Sequence, residues 1–178
     1  MSRTLTTALV AGGVLWGASA CANHPRQPST ANSGQAAARA ASPNVGNACD
    51  QKLLNAADAA AILGAPITRT ATLEGDPESC AFTTAELATL TVSLRPGLGR
   101  TTVATWKSGR MPVTAKPLAG VGDDAAWAAD LHEVIAERDD LLCDIQAGEG
   151  ARNSPRASPD AEQRALGALC NKIFARVK

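Results

Sequence analysis

The chain has five cysteines, and their spacing decides which chemistry they can perform. None of them forms a C-x-x-C pair, the spacing that is typical of zinc sites and of thioredoxin-like redox motifs. Cys21 lies close to the N-terminus, and the other four form an even set of Cys49, Cys80, Cys143 and Cys170. In an exported protein, an even set of cysteines indicates disulfide bonds. We therefore predict two disulfides, with no thiol of the set left for catalysis.

Residues 1–20 have the organisation of an export signal. Arg3 is the only charged residue among residues 1–22, and it is followed by an apolar segment at 5–16 and small residues at 17–20. A cationic start, an apolar middle and a small-residue end are typical of a secretory signal peptide. The apolar segment is shorter than the roughly twenty residues that a membrane-spanning helix requires, which disfavours a transmembrane anchor.

Ala18-Ser19-Ala20-Cys21 resembles a bacterial lipobox. In that motif the cysteine thiol receives a diacylglyceryl group, and the cysteine becomes the new N-terminus after cleavage. The resemblance implies that the protein is held to the membrane through a lipid on Cys21, because each buried methylene contributes about 0.8 kcal/mol. The alternative is cleavage by an ordinary signal peptidase, since Ala18 and Ala20 also form an A-x-A motif.

Residues 21–48 predict a lipidated N-terminus followed by a disordered tether. This segment has no aromatic residue, it is rich in Pro, Ser, Asn, Gln and Ala, and Val45 is its one β-branched apolar residue. Such a composition cannot bury enough apolar surface to offset chain entropy. A flexible coil of this length spans on the order of 30 Å, enough to hold a domain away from a lipid surface. Residues 49–178 remain as one globular domain.

The C-terminal segment gives the clearest helix prediction. Ser158 is a favourable N-cap, and Pro159 suits the first helical position. Apolar residues then recur at three- and four-residue spacing, and Cys170 is one of them. Upstream, residues 141–147 alternate between apolar and polar side chains, which places Cys143 on the apolar face of a strand. A helix packed on a sheet brings these inward-facing thiols together, so we predict a Cys143–Cys170 disulfide.

The remaining pair, Cys49–Cys80, follows by elimination and agrees with the local patterns. Cys49 precedes a short helix that Asn55 caps and Gly64 ends, while Cys80 lies in a strand at 80–84. A disulfide that closes a loop of about thirty residues contributes roughly 3–4 kcal/mol in the chain-entropy model. Two such bridges are comparable with the whole net stability of a small domain. Reduction is therefore expected to unfold the protein.

Most of the chain between these helices predicts strands. They are expected at 80–84, 89–95, 125–129, 134–137 and 141–147, with a weaker strand at 113–116. Residues 101–108 predict a helix that presents Val103 and Trp106. This order indicates an α+β fold, with an antiparallel sheet of about five strands and the N- and C-terminal helices packed on one face.

Acidic side chains and a histidine are the remaining candidates for chemistry. Five aspartates could supply carboxylate oxygens as ligands for a metal ion: Asp123, Asp124, Asp139, Asp140 and Asp144. Turns favour Asp in any case, so we interpret them as solvated turn residues and assign no metal. His132 lies at a predicted turn, and no G-x-S-x-G motif supplies it with a nucleophile. We assign no catalytic residue; a periplasmic hydrolase or metal-dependent enzyme using His132 and nearby carboxylates is the alternative hypothesis.

Residues 120–127 read Gly-Val-Gly-Asp-Asp-Ala-Ala-Trp and superficially match a dinucleotide-binding fingerprint. That motif requires a buried strand before it and a helix after it, neither of which is predicted here, so we expect a glycine turn and no cofactor. This segment is one of several short motifs that resemble small secreted lipoprotein domains of actinobacteria, most of which have no known function. The other motifs are Cys49, residues 59–66, Cys80-Ala81-Phe82 and the C-terminal helix. More loosely, these motifs resemble the two-disulfide extracellular sensor domains of bacterial Ser/Thr kinases. These resemblances imply an α+β fold and an envelope location, and no catalytic residue.

The charge balance and the low aromatic content of the chain restrict its function and its fold. The 178 residues include 17 basic and 17 acidic side chains, so the chain lacks the basic excess typical of nucleic-acid binding. Aromatic residues make up 3%, and a core of Ala, Leu and Val needs covalent support. We predict a lipoprotein of the cell envelope, anchored to the membrane on its periplasmic or extracellular face, that binds an envelope protein or a small ligand without catalysis. A concave pocket lined by Trp106 and Trp127 would favour a ligand sensor.

Overall fold

The computed structural model describes residues 45, 47–50, 52–148 and 158–177. The predicted signal peptide, Cys21 and residues 22–44 of the predicted tether lie outside the described residues. Within them the order is α1-β1-β2-β3-α2-β4-β5-β6-β7-α3. The helices are α1 Ala56–Leu63, α2 Gly99–Lys107 and α3 Pro159–Phe174. In this part of the chain, no helix combines the length and apolar character needed to cross a membrane.

All seven described strands belong to one antiparallel sheet with the order β1-β2-β3-β7-β6-β5-β4. They are β1 Ile67–Leu73, β2 Asp76–Thr84, β3 Thr89–Pro96, β4 Ala115–Pro117, β5 Asp124–Ala128, β6 Glu133–Arg138 and β7 Leu141–Ala147. Strand β3 pairs with β7 where the two halves of the sheet meet. The predicted α+β class and antiparallel sheet are confirmed. The expected number of about five strands is too low.

The strand that the sequence patterns missed is β1. Its sequence, Ile-Thr-Arg-Thr-Ala-Thr-Leu, has too few apolar residues to predict a buried face. In the structure β1 is an edge strand that pairs with β2, has register shifts at both ends and keeps most of its side chains exposed. An edge strand can form with little apolar burial, so periodicity gives no signal for it. The weakly predicted strand at 113–116 corresponds to β4.

The alternation of side chains along the strands gives each face of the sheet its own core. On the first face, α1 and α3 pack against the central strands, and the largest buried side chains include Leu54, Phe82, Leu90, Ile145, Leu166 and Ile173. On the second face, α2 packs Val103 and Trp106 against Ile135 and Leu142. The terminal helices therefore share a face, and α2 covers part of the other one. Two residues of the predicted tether, Val45 and Ala48, also pack on the first core.

The two disulfides join Cys49 to Cys80 and Cys143 to Cys170, which is the pairing that the sequence patterns predict. Their Cα–Cα distances of 5.0 and 5.9 Å lie in the normal range for disulfides. The first bridge ties the segment before α1 to β2, and the second ties β7 to α3. Paired cysteines of this kind are typical of proteins that fold in an oxidising compartment outside the cytoplasm.

Asp58 connects the two helices of the first face. Its backbone N–H donates to the N-cap side chain of Asn55, and its carboxylate accepts from Lys172 and from Arg176, whose Nη1 lies 3.3 Å away. Arg176 also donates to the carbonyl oxygen of Leu53 at 2.8 Å. Burial acts to raise the pKa of Asp58, but the hydrogen bond and charge of Lys172, with Arg176 beside it, hold that pKa below its usual range.

We expect Asp58→Asn to lower the free energy of unfolding at pH 7 by about 1–2 kcal/mol, because it removes the anion from two cationic partners. A carboxyl group with a lowered folded-state pKa contributes stability above its unfolded pKa of about 3.9 and loses it as the pH falls through the folded value. The variant should therefore lose less stability than the wild type between pH 5 and pH 2, measured by urea unfolding. Asp160→Asn, at an exposed position of α3, is the control and should change stability by roughly 0.5 kcal/mol. Equal losses in the two variants would contradict this role for Asp58.

Candidate functional site

A row of polar side chains crosses the second face of the sheet beside the core of α2. We call it the polar row, and it consists of Ser79 on β2, Ser93 on β3, Asp144 on β7 and Glu133 on β6. Ser93 is the register partner of both Ser79 and Asp144. Each member alternates with residues that face the first core, as Ser93 does between Val92 and Leu94, so the strand period directs it to the second face. Ser79, Ser93 and Glu133 are nevertheless buried.

The β2 end of the polar row continues into a charged rim formed by Asp76, Glu78 and Arg95. The hydroxyl oxygens of Ser79 and Ser93 lie 2.5 Å apart, and the Ser79 hydroxyl donates to Asp76 at 2.7 Å. Arg95 Nη2 donates to the same Asp76 oxygen at 2.6 Å, and Arg95 Nε lies 3.7 Å from a Glu78 oxygen. The hydrogen bond from Ser79, followed by the charge of Arg95, outweighs partial burial and lowers the pKa of Asp76. These contacts fix the Asp76–Arg95 ion pair at the surface, with the more exposed Glu78 beside it.

The other end of the polar row is a pair of carboxyl groups, Glu133 and Asp144. Burial, the charge of Asp144 and a hydrogen bond between the two groups raise the pKa of Glu133 to about 8. Burial also raises the pKa of Asp144, with Asp76 adding to the effect while the Glu133 hydrogen bond and Arg95 oppose it. Two close carboxyl groups in a buried place cannot both ionise easily, so Glu133 keeps its proton at neutral pH. Pairs of this kind are found at functional sites and also in purely structural networks.

The aspartates considered as candidate metal ligands do not converge. Within the described ranges, no group of three or more His, Cys, Asp or Glu side chains is arranged to hold a metal ion. Asp124 pairs with Lys107 at 2.8 Å, and Asp123 accepts from the backbone N–H of Asp139 at 3.2 Å. Asp123 and Asp139 are turn residues, as the sequence predicts. Asp124 is instead the first residue of β5, and Asp144 lies inside β7 and belongs to the polar row.

Asp140 has a structural role at the start of α2. It follows Asp139 in the β6–β7 turn, and both residues have positive φ angles of 63° and 53°. Its side chain accepts from the backbone N–H of Arg100 at 3.1 Å, and its carbonyl oxygen accepts from Gly97 and Gly99. The turn therefore supplies acceptors to the free N–H groups at the helix N-terminus.

His132 lies at the tip of the β5–β6 hairpin, where the sequence predicts a turn, and it has a φ of 53°. Its Nδ1 is 2.7 Å from a carboxylate oxygen of Glu162 in the first turn of α3, and its ring meets Trp127 edge-on at 6.4 Å. Among the described residues, no hydroxyl or thiol forms a hydrogen bond with His132. His132 and Glu162 therefore correspond to the base and the orienting acid of a catalytic triad, without its nucleophile. Their contact connects the hairpin tip to α3.

Helix α3 packs directly against the glycine turn at residues 120–122. The Asn171 side chain donates to the Gly120 carbonyl at 2.8 Å and accepts from the Gly122 N–H at 3.0 Å. Gly122 has a φ of 57°, and a methyl group there would clash with the carbonyl oxygen of Glu137. The absence of a side chain at Gly122 therefore allows the turn to pack closely between β6 and α3. The prediction of a glycine turn at this place is confirmed.

No protein-family model, curated protein or solved structure matches this chain. The resemblances to lipoprotein and sensor domains therefore stay predictions from short motifs.

The two tryptophans considered for a ligand pocket lie on opposite faces of the sheet. Trp127 belongs to the first core and Trp106 to the second, with 4% and 8% of their surfaces exposed. They cannot line a common pocket, because the sheet separates them. A cavity of about 280 Å³ lies instead on the first face, next to the first disulfide. Its lining consists of Cys49, Leu54, Asn55, Ala56, Ala57, Thr70 and Phe82.

Proposed function

We propose that this chain is an exported lipoprotein of the cell envelope, anchored through a lipid on Cys21, with a domain that binds another envelope component without catalysing a reaction. The observation that supports lipid attachment at Cys21 is the pairing of the other four cysteines. The four cysteines of the domain are joined to one another, so none of them is a disulfide partner for Cys21. A lipid is the modification that the sequence around Cys21 favours.

The charged rim supports the binding part of the proposal. Asp76 and Arg95 are each about one third exposed and form a hydrogen-bonded ion pair, and the half-exposed Glu78 lies beside Arg95. Preorganised charges at a surface lower the entropy cost of binding a partner. The alternative, a hydrolase or metal-dependent enzyme using His132, has less support, because the His132 ring hydrogen-bonds Glu162 and no hydroxyl or thiol of the described residues hydrogen-bonds the ring.

The anchor is tested by replacing Cys21. We expect Cys21→Ser to move the protein from the membrane fraction to the soluble fraction, because the variant cannot accept the diacylglyceryl group. Ser19→Ala keeps the cysteine and should leave the protein in the membrane fraction. The intact mass of the wild type should fit a chain that begins at a lipidated Cys21 and lacks the hydrogens removed by two disulfides. A mature chain that begins elsewhere and carries no lipid would overturn the anchor.

The binding surface is tested by crosslinking in cells. A photoreactive residue in place of Glu78, in the charged rim, should give a discrete crosslinked product with an envelope component, identified by mass spectrometry. The same residue in place of Ala168, which is exposed on α3, is the control. A product formed equally well from both positions, or from neither, would contradict the charged rim as the binding surface.

A further inference from the structure

The two disulfides differ in their access to solvent. Cys80, Cys143 and Cys170 are all 0% exposed, whereas Cys49 is only partly buried. Cys49 also borders the cavity of about 280 Å³, and its sulfur lies 3.8 Å from the Thr72 hydroxyl at the surface. Thiol–disulfide exchange requires a thiolate to reach one sulfur of the bond, so access decides which disulfide reacts.

We propose that Cys49 is a site of thiol–disulfide exchange, at which exported dithiol reductants open the Cys49–Cys80 bridge while the Cys143–Cys170 bridge stays closed. The reductant thiolate attacks the sulfur of Cys49, the S–S bond breaks, and its electron pair leaves on the sulfur of Cys80, which takes up a proton. The second thiol of the reductant then displaces Cys49 as a thiol and closes the reductant's own disulfide. Two electrons and two protons pass from the dithiol to the Cys49–Cys80 pair.

The cavity gives this site its chemical selectivity. Phe82, Leu54 and Ala57 provide an apolar lining next to the sulfur of Cys49. An apolar side chain that flanks the cysteine of a protein dithiol can occupy that space while the thiolate attacks. The buried bridge offers no such approach, because Cys170 lies inside α3 and Cys143 lies in β7 beneath it.

Opening this bridge would release the connection between the N-terminal segment and the sheet. Apart from the disulfide, this segment is held by non-covalent contacts alone. Ala48 is buried, Val45 packs on the first core, Asn47 donates to Thr72 at 3.2 Å, and the Asp50 carbonyl accepts from the backbone N–H groups of Leu53 and Leu54. The chain from Leu53 onwards keeps its own attachments, since Arg176 donates to the Leu53 carbonyl and also contacts Asp58. Reduction at Cys49 therefore removes the covalent link between the segment before α1 and β2, and leaves the second bridge closed.

The experiment uses the full chain with Cys21→Ser, so that no fifth thiol competes. The protein is titrated with dithiothreitol, free thiols are alkylated, and each cysteine is read on its own peptide. We expect Cys49 and Cys80 to be alkylated at roughly tenfold lower reductant concentration than Cys143 and Cys170. Tryptophan fluorescence should stay native through the first step and change in the second. Alkylation of all four cysteines in one step would overturn the proposal.

A second measurement identifies the attacked sulfur. Thioredoxin whose resolving cysteine is replaced by serine cannot complete the exchange, so it should stay trapped as a mixed disulfide on Cys49. Cys49→Ser with Cys80→Ser should form no adduct and should keep the Cys143–Cys170 bridge. An adduct on Cys80, on Cys143 or on Cys170, or no adduct in the parent chain, would overturn the proposal. If the double variant fails to fold, the position of the adduct in the parent chain still shows which sulfur the thiolate attacks.

Discussion

Replacing Gly122 with alanine is expected to lower the free energy of unfolding by about 3 kcal/mol, which corresponds to a fall in Tm of roughly 10 °C. Two effects add. Gly122 has a φ of 57°, a conformation that costs a residue with a side chain about 1–2 kcal/mol. The added methyl group would also meet the backbone carbonyl of Glu137, and the ring of Phe174 lies close to the same point, so the turn or β6 has to move.

Gly120→Ala is the matched control for this variant. Gly120 also has a positive φ, of 78°, but a methyl group there would meet no atom within 4 Å. The control therefore carries the conformational cost alone, about 1 kcal/mol. Thermal and urea unfolding of both variants separate the two effects, and equal losses would show that the contact with Glu137 is unimportant. The hydrogen bonds of Asn171 to both glycines make the comparison closely matched, since either variant disturbs the same turn.

The helices and the disulfides could be predicted because their signals are local. The Asn55 cap, the Gly64 stop and the Ser158 cap all appear in the structure as the sequence indicates. The inward position of Cys170 follows from a stripe of apolar residues, and that of Cys143 from strand alternation. Once both cysteines are known to face the same core, only the packing of a helix on a sheet is needed to pair them.

The polar row could not be predicted, because it depends on how distant strands align. Ser93 and Asp144 alternate with core residues, so the sequence indicates that they face solvent. That inference holds for a sheet with helices on one face only. In the structure α2 packs on β4 to β7 of the second face and buries Ile135 and Leu142 there, so that face also has a core, and Ser93 beside it is buried as well. The pairing of β3 with β7 then brings Ser93 beside Asp144, and no local pattern encodes that register.

The stability of the wild type is expected to fall as the pH rises from about 4.5 to about 8, and Glu133 is the reason. The folded state keeps a proton on Glu133 up to a pKa of about 8, whereas the unfolded chain releases it near pH 4.3. Between these values the folded state binds more protons than the unfolded state, so stability decreases with increasing pH. Below this window both states hold the proton, and above it neither does. The direction is opposite to that of Asp58, which loses stability as the pH falls.

Glu133→Gln should remove most of this dependence. The amide has no proton to lose, and it can still donate a hydrogen bond to Asp144. At pH 8 the variant is therefore expected to be more stable than the wild type by about 4–5 kcal/mol, or roughly 15 °C in Tm, and at pH 4 the two should be similar. Urea unfolding at pH 4, 6 and 8 measures the difference, with Glu86→Gln at an exposed turn as the control for the substitution.

Asp144→Asn tests whether the two carboxyl groups act as a pair. It removes the negative charge that helps to raise the pKa of Glu133, so the pH dependence should shrink although Glu133 is still present. The double variant with Glu133→Gln should then gain less stability at pH 8 than the sum of the two single gains, because each substitution relieves the same repulsion. Additive gains would mean that the two groups titrate independently. A Glu133→Gln variant that is less stable than the wild type at pH 8 would contradict this account, because it would show that the folded state is stabilised by the Glu133 carboxylate.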